Sequence, residues 1–232
     1  MYAEKGLNHH YCAALADRGM WFLISIYRLV PDVTVNQQLQ DVARALRWIR
    51  DHGSQYPCDM RNIMLTGDSA GGQLAAYSAV LMQSAQLRKT FDTVDPQMEL
   101  TALLLTSPVA FMRDGGLFSL YTKPMWGTDY KDKATYPYMD FDQIIDYAQA
   151  LPPTYLITSS GDTLANKQTH RLYEVLQAHG VQAEIKDYAK AEYNQSLPHV
   201  FSVLQPFEPA GTAAIDKALA FYQQAMTAKA AQ

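Results

Sequence analysis

Short apolar runs alternate with longer stretches of helical periodicity along most of the chain. The runs are bounded by turn residues and predict five strands, over residues 21–26, 63–66, 101–106, 154–158 and 181–188. Apolar positions three to four residues apart predict helices over 35–52, 73–86, 165–179 and 212–227. Strands that alternate with helices are typical of a parallel sheet covered on both faces. The predicted fold class is therefore α/β, as a single domain over residues 1–232.

This alternation breaks down between residues 108 and 151, where aromatic side chains are frequent and no period is clear. The segment contains Phe111, Phe118, Tyr121, Trp126, Tyr130, Tyr136, Tyr138 and Phe141. A loop of this length inside a domain is usually functional or disordered, and its aromatic content argues against disorder. Two interpretations stay open: a satellite core beneath a long loop, or a lid that lines a substrate pocket. In the second, Trp126 and Tyr130 are the candidate substrate-binding residues.

Composition and charge exclude several classes of protein. The 232 residues carry 19 basic and 23 acidic side chains, a net charge of −4, with no basic stripe for nucleic acid. Cys12 and Cys58 make neither a disulfide framework nor a four-ligand zinc site. The longest apolar run, 20–26, is too short to span a bilayer, and the start lacks the features of a signal peptide. We expect a cytoplasmic protein, and leave homo-oligomerisation open.

The strongest chemical signal lies between the second predicted strand and the helix after it. Residues 67–71 read G-D-S-A-G, a G-x-S-x-G pattern. Glycines beside a serine allow a sharp turn from strand to helix, because backbones approach closely there. The turn raises the hydroxyl above the sheet, next to the positive end of the helix. Ser69 is the predicted nucleophile, and a structural glycine-rich turn is the alternative.

A serine nucleophile needs a general base, and the base needs an acid to orient it. His199 lies on the loop after the last predicted strand and is the predicted base; the alternative is a loop histidine packed on Phe201. Asp162 follows the fourth strand and is the predicted acid, with a helix cap as the alternative. The other candidates are His9, His10, His52, His170 and His179 for the base, and Asp140, Asp142, Asp146 and Asp187 for the acid.

Four segments carry a resemblance to a known family. Residues 27–32 read Y-R-L-V-P-D, 67–72 G-D-S-A-G-G, 161–164 G-D-T-L and 199–201 H-V-F. They are similar to motifs of the hormone-sensitive-lipase-like esterases, a branch of the α/β-hydrolases. The resemblance implies an α/β-hydrolase fold with Ser69 as nucleophile, Asp162 as orienting acid and His199 as general base. It also implies that the backbone N–H of Ala70 donates to the oxyanion.

The sequence departs from the family pattern in three places. Val200 stands where glycine is usual, and Asn166 stands where a second acidic residue is frequent. The family's H-G-G-G loop, which supplies the other oxyanion donors, belongs upstream of residue 27, and no H-G-G-G occurs. We therefore expect an N-terminally truncated sheet without its central strand. Either the protein starts further upstream and includes that strand, which we favour, or the 21–26 strand moves over to pair with the 63–66 strand.

The leading functional hypothesis is a serine carboxylesterase acting on small or medium uncharged esters through an acyl-enzyme. An alternative on the same fold is a peptidase or formamidase, because a triad does not dictate the leaving group. A second alternative is an inactive fragment or pseudoenzyme that lacks a complete oxyanion hole. Without a P-loop, a G-x-G-x-x-G or clustered histidines, we expect no metal, nucleotide or flavin cofactor.

Overall fold

The computed structural model describes residues 5–113 and 120–231. Gly115, Gly116 and Phe118 of the aromatic segment lie outside the described residues. The strands are β1 (Met64–Asp68), β2 (Ala102–Thr106), β3 (Thr154–Ser159) and β4 (Ala183–Tyr188). The α-helices are α1 (His9–Ala16), α2 (Val35–His52), α3 (Ala70–Gln83), α4 (Ala85–Phe91), α5 (Thr122–Trp126), α6 (Asn166–Ala178), α7 (Lys190–Tyr193), α8 (Phe201–Leu204) and α9 (Pro209–Ala230).

The four strands form a parallel sheet in the order β1-β2-β3-β4, as the alternating pattern predicts. Side chains of a strand point alternately to opposite faces, and β2 shows this clearly. Leu103 and Leu105 pack with α2, α3 and α6 on one face. Ala102 and Leu104 pack with α9 on the other. Because both faces are covered, the carboxyl ends of the strands are the open edge at which loops can build a site.

The strand predicted over 21–26 is wrong. Residues 20–29 have no strand partner, and the side chains of Trp21 and Ile26 are 51% and 63% exposed. A cavity of about 470 Å³ separates Phe22–Ile26 from the edge of β1, so the two backbones do not pair. An apolar, β-branched run becomes a strand only where a neighbour accepts its hydrogen bonds. The sheet therefore has four strands rather than five, and Ser69 follows the first rather than the second.

The helix predicted over 73–86 is two helices that meet at Ser84. The hydroxyl of Ser84 accepts the N–H of Leu87 and caps the start of α4. Helix α3 begins at Ala70, directly after Ser69. No helix in the described part of the chain is long and apolar enough to cross a bilayer.

The aromatic segment contributes buried side chains to the main core. Trp126 is 2% exposed, and Phe141 and Ile144 are each 1% exposed, in the same cluster as Leu74 and Leu105. The Phe141 ring lies edge-on to Tyr77 of α3. The described part of this segment therefore helps to form the main core, and its role as a lid or pocket lining stays a prediction.

Candidate active site

Ser69 sits in a strained turn between β1 and α3. Its φ and ψ are 51° and −116°, which side-chain-bearing residues rarely adopt. Two hydrogen bonds stabilise the turn: Ser69 N–H donates to Thr106 O over 3.0 Å, and Val109 N–H donates to Ser69 O over 3.2 Å. Both tie the turn to the end of β2, so the hydroxyl is raised at the carboxyl edge of the sheet.

Two of the glycines around Ser69 allow this turn because there is no room for a side chain at either position. A Cβ at Gly67 would collide with the backbone of Gly71, and one at Gly72 would lie 2.9 Å from the Cβ of Pro108. Strand, turn and helix can therefore approach only where these positions lack a Cβ. This steric requirement explains glycine at 67 and 72, whereas a Cβ at Gly71 would meet nothing closer than the Tyr27 hydroxyl at 3.9 Å.

The structure brings together the three side chains selected from the sequence. His199 Nε2 lies 2.9 Å from Ser69 Oγ, and His199 Nδ1 lies 3.0 Å from Asp162 Oδ2. Both distances are within hydrogen-bond range, so the imidazole bridges the hydroxyl and the carboxylate. This geometry permits proton transfer from the serine to a ring that the carboxylate orients. The catalytic roles of the three residues stay predictions.

Asp162 is held ionised by its surroundings. The carboxylate is 2% exposed, and its Oδ1 accepts the N–H groups of Leu164 and Ala165 over 3.0 and 2.9 Å. Burial alone would raise the pKa of Asp162, but the hydrogen bonds from the His199 ring and the Ala165 N–H outweigh burial and lower it. A charged acid in this position keeps a proton on His199 Nδ1 and leaves Nε2 free to act as a base.

The competing histidines and acids are occupied elsewhere. His170 and Asp187 pair with each other, as do His179 and Asp146, and Asp142 pairs with Arg171. Asp140 accepts backbone N–H groups from Met112 and Arg113. His52 ends α2, and its Nδ1 lies 2.9 Å from Trp48 O. His9 and His10 are exposed on α1. None of these side chains is hydrogen-bonded to Ser69 among the described residues.

The cavity beside β1 opens onto Ser69. Its walls are mainly apolar and include Phe22, Ile24, Leu65 and Leu74. From the aromatic segment, Met125 reaches this wall. Trp126 instead lies in the main core, and Tyr130 packs against that core. The substrate-binding role of Trp126 and Tyr130 stays a prediction, and Met125 is the nearer candidate.

The predicted oxyanion donor, the N–H of Ala70, lies at the start of α3. Ala70 is the first residue of this helix, and the first N–H groups of a helix have no intrahelical partner. Ala70 also borders the cavity next to Ser69. Its N–H therefore can donate to negative charge that develops there. In the described residues, no cluster of three or more His, Cys, Asp or Glu side chains is arranged to hold a metal ion.

Sequence reasoning missed Asp68, which lines the same cavity one residue before the predicted nucleophile. Burial raises the pKa of Asp68, and its own backbone N–H and the nearby His199 only partly offset that effect. No basic side chain in the described ranges forms a salt bridge with it. The motif itself could have identified Asp68, because the residue directly before Ser69 lies at the same carboxyl edge of the sheet.

We expect Asp68→Asn to stabilise the protein at neutral pH but not in acid. The folded state binds the Asp68 proton more tightly than the unfolded chain, whose pKa is near 3.8. The free energy of unfolding therefore falls as pH rises through the raised pKa of Asp68. Asp68→Asn should unfold with a free energy about 1 kcal/mol higher at pH 7 and nearly unchanged at pH 3. Urea unfolding at both pH values measures this.

The control for this experiment is Asp132→Asn, because Asp132 is exposed to solvent. We expect that variant to match the unchanged protein at both pH values. A stabilisation by Asp68→Asn that is equal at pH 3 and pH 7 would contradict the titration argument.

Comparisons with known proteins show which family this chain belongs to. The sequence profile of the alpha/beta hydrolase fold family matches residues 2–195. The Mycobacterium tuberculosis protein named "Probable carboxylic ester hydrolase LipM" is 27% identical over 223 residues, which are 94% of this chain and 50% of LipM. Our chain thus spans about half the length of that relative.

Solved structures give the same result. Esterase B from Lactobacillus rhamnosis superposes with a TM-score of 0.87 at 29% identity, over 99% of this chain and 73% of esterase B. A second structure of esterase B, inhibited by a C4-C4 tributyrin phosphonate, gives a TM-score of 0.86 at 30% identity, over 100% of this chain and 75% of that one. With most of its length matched by the family profile, this chain belongs to the alpha/beta hydrolase fold family.

Proposed function

We propose that this protein is a serine carboxylesterase that acts on small or medium uncharged esters. The observation that carries the proposal is the position of the His199 ring, 2.9 Å from Ser69 Oγ and 3.0 Å from Asp162 Oδ2. A serine hydroxyl is a weak nucleophile until a base removes its proton during attack. The similarity to LipM and esterase B supports ester hydrolysis in particular.

The first half of the reaction forms an acyl-enzyme. Ser69 Oγ attacks the ester carbonyl carbon while its proton passes to His199 Nε2. The carbonyl oxygen becomes negatively charged and accepts the N–H of Ala70. When the tetrahedral intermediate collapses, the C–O bond to the alcohol breaks and the leaving oxygen takes the proton from His199. Asp162 stabilises the imidazolium that exists between these two transfers.

The second half releases the acid. His199 Nε2 takes a proton from a water molecule as the water oxygen attacks the acyl carbon. Collapse of the second intermediate breaks the bond to Ser69 Oγ, which recovers its proton from His199. The carboxylic acid leaves and the free enzyme is restored, so the cycle consumes one ester and one water.

The apolar wall beside Ser69 favours an uncharged substrate. Leu65 and Leu74 form part of that wall, and an apolar acyl or aryl group placed there removes hydrocarbon from water. The ionisable side chain nearest to Ser69 in the sequence is Asp68, which would repel a carboxylate on the substrate. The phosphonate inhibitor of esterase B, derived from tributyrin, supports short acyl groups as the first to test.

Two measurements test the proposal. We expect a fluorophosphonate probe to label the protein at Ser69 and to leave Ser69→Ala unlabelled, because labelling needs an activated serine. We also expect turnover of a short acyl aryl ester, and little turnover of a matched anilide or a formamide. Labelling without ester turnover would favour the inactive alternative, and faster amide than ester cleavage would favour the peptidase or formamidase.

A further inference from the structure

Two loops meet at a buried contact beside the triad. The acid loop follows β3 and carries Asp162, and the base loop carries His199. Strand β3 ends at Ser159, three residues before Asp162, and Leu197 lies two residues before His199. Ser159 Oγ donates to Leu197 O over 2.7 Å. Ser159 is 0% exposed and Leu197 is 2% exposed, so water does not compete for this hydrogen bond.

The contact is close enough to set the distance between the loops. A Cβ at Gly161 would collide with the carbonyl oxygen of Leu197, so the acid loop already lies against this part of the base loop. On the base loop, Phe201 N–H donates to Pro198 O over 3.0 Å. Val200 has φ of 53°, so the turn at His199 is tight. A small shift of Leu197 would therefore move the imidazole.

The acid side of this contact is itself fixed. Ser159 O accepts the N–H of Asp162 over 3.0 Å and the side-chain amide of Asn166 over 2.9 Å. The same amide donates to Asp187 Oδ2 over 2.9 Å, and His170 Nε2 lies 2.9 Å from that oxygen. Ser159 is thus tied through Asn166 to strand β4 and to helix α6. Its hydroxyl therefore holds Leu197 of the base loop at a fixed position.

We propose that Ser159 is a positioning residue that keeps His199 within hydrogen-bond distance of Asp162 through the carbonyl of Leu197. This inference rests on the proposed function, because it assigns Ser159 a part in preparing the same site. Without the hydroxyl, the base loop can move away from the acid loop, and the Asp162–His199 hydrogen bond forms in fewer molecules. A misplacement of about 1 Å can cost a large factor in rate.

The test compares Ser159→Ala with Ser160→Ala. Ser160 is exposed and one residue further along, and among the described residues its hydroxyl makes only a long contact of 3.5 Å to Tyr188 O. We expect Ser159→Ala to slow fluorophosphonate labelling about tenfold and to lower kcat equally, with KM unchanged. Ser160→Ala should behave as the unchanged protein.

A second readout is independent of activity. A proton shared between His199 Nδ1 and Asp162 gives a strongly deshielded signal in proton NMR. We expect this signal in the unchanged protein and in Ser160→Ala, and expect it broadened or lost in Ser159→Ala. If no probe labels the unchanged protein, the proposed function fails, and the NMR comparison still tests the positioning role.

A third variant guards against a folding defect. Ser159→Cys keeps the shape of the side chain but donates more weakly, so its labelling rate should lie between those of the unchanged protein and Ser159→Ala. If Ser159→Ala does not fold, a reduced rate and a weakened signal in Ser159→Cys support the proposal. Folded Ser159 variants that keep the NMR signal and the labelling rate, with only a lower Tm, would overturn it.

Discussion

A chimera that carries a β-strand and an H-G-G-G loop ahead of Met1 is expected to turn over a short acyl aryl ester about 10²–10³-fold faster than the 232-residue chain. Both added segments would be taken from a related esterase. The one predicted oxyanion donor among the described residues is the N–H of Ala70. Each donor fixed before the reaction stabilises developing charge without reorganisation, and losing one typically costs about 3–4 kcal/mol.

We expect the chimera to fold as intended because one lateral side of β1 has no neighbouring strand in the described sheet. Strand β1 pairs only with β2 in the described sheet. Across the cavity lies the segment Phe22–Ile26, in which Leu23, Ile24 and Ile26 are exposed apolar side chains typical of a buried strand. An inserted strand would satisfy unpaired backbone groups on both sides and bury this apolar surface. The chimera should therefore also have a higher Tm.

The matched control is the same chimera with its loop glycines replaced by alanine. A Cβ there hinders close approach of the backbone N–H groups to the substrate oxygen, so we expect the gain in turnover to disappear while the gain in Tm is largely kept. Equal turnover by the chimera and the 232-residue chain would mean that another backbone segment already supplies the donors.

Ser69→Ala is expected to lower kcat about 10⁶-fold in whichever of the two proteins, the chimera or the 232-residue chain, turns over the ester faster. The nucleophile is then absent, and only binding and charge stabilisation remain. Asp162→Asn should lower kcat about 10⁴-fold, because the amide no longer holds the required tautomer of His199. The double variant should be no slower than Ser69→Ala alone, since the residues act as a unit.

Asp146→Asn is the control for the acid, because Asp146 was a competing candidate and lies at the surface against His179. We expect it to leave kcat unchanged, since surface ion pairs contribute little. Steady-state kinetics with the same aryl ester measures all four variants. A kcat for Asp162→Asn equal to that of Asp146→Asn would mean that Asp162 is not the acid.

The sequence predicted most of the sheet because most of its strands have a recognisable local pattern. Strands β2 and β3 are short, apolar and bounded by turns, and both lie within a residue of their predicted positions. The 21–26 run carries the same local signal and is not a strand. Whether such a run pairs depends on the neighbour beside it, and a local pattern does not contain that information.

The aromatic segment shows a similar limit. Its composition predicted order, and Trp126 and Phe141 are indeed buried. Which of its side chains reaches the cavity was decided by how the irregular chain packs. Met125 lies at the cavity wall although its neighbour Trp126 looked the better ligand contact.

By itself, the sequence determined the features that depend on neighbouring residues, such as the turn at Ser69. Glycine at Gly67 is required for a steric reason that acts over a few residues, the close approach of Gly71, so this part of the motif could be read directly. Glycine at Gly72 instead leaves room for Pro108, which is distant in the sequence. The position after the fourth predicted strand already favoured Asp162 as the partner of His199, but only the tertiary structure decided how the two loops are held. The bond from Ser159 to Leu197 joins residues 38 apart. Such a contact arises from the packing of β3, β4 and the loops after them, and no spacing in the sequence records it.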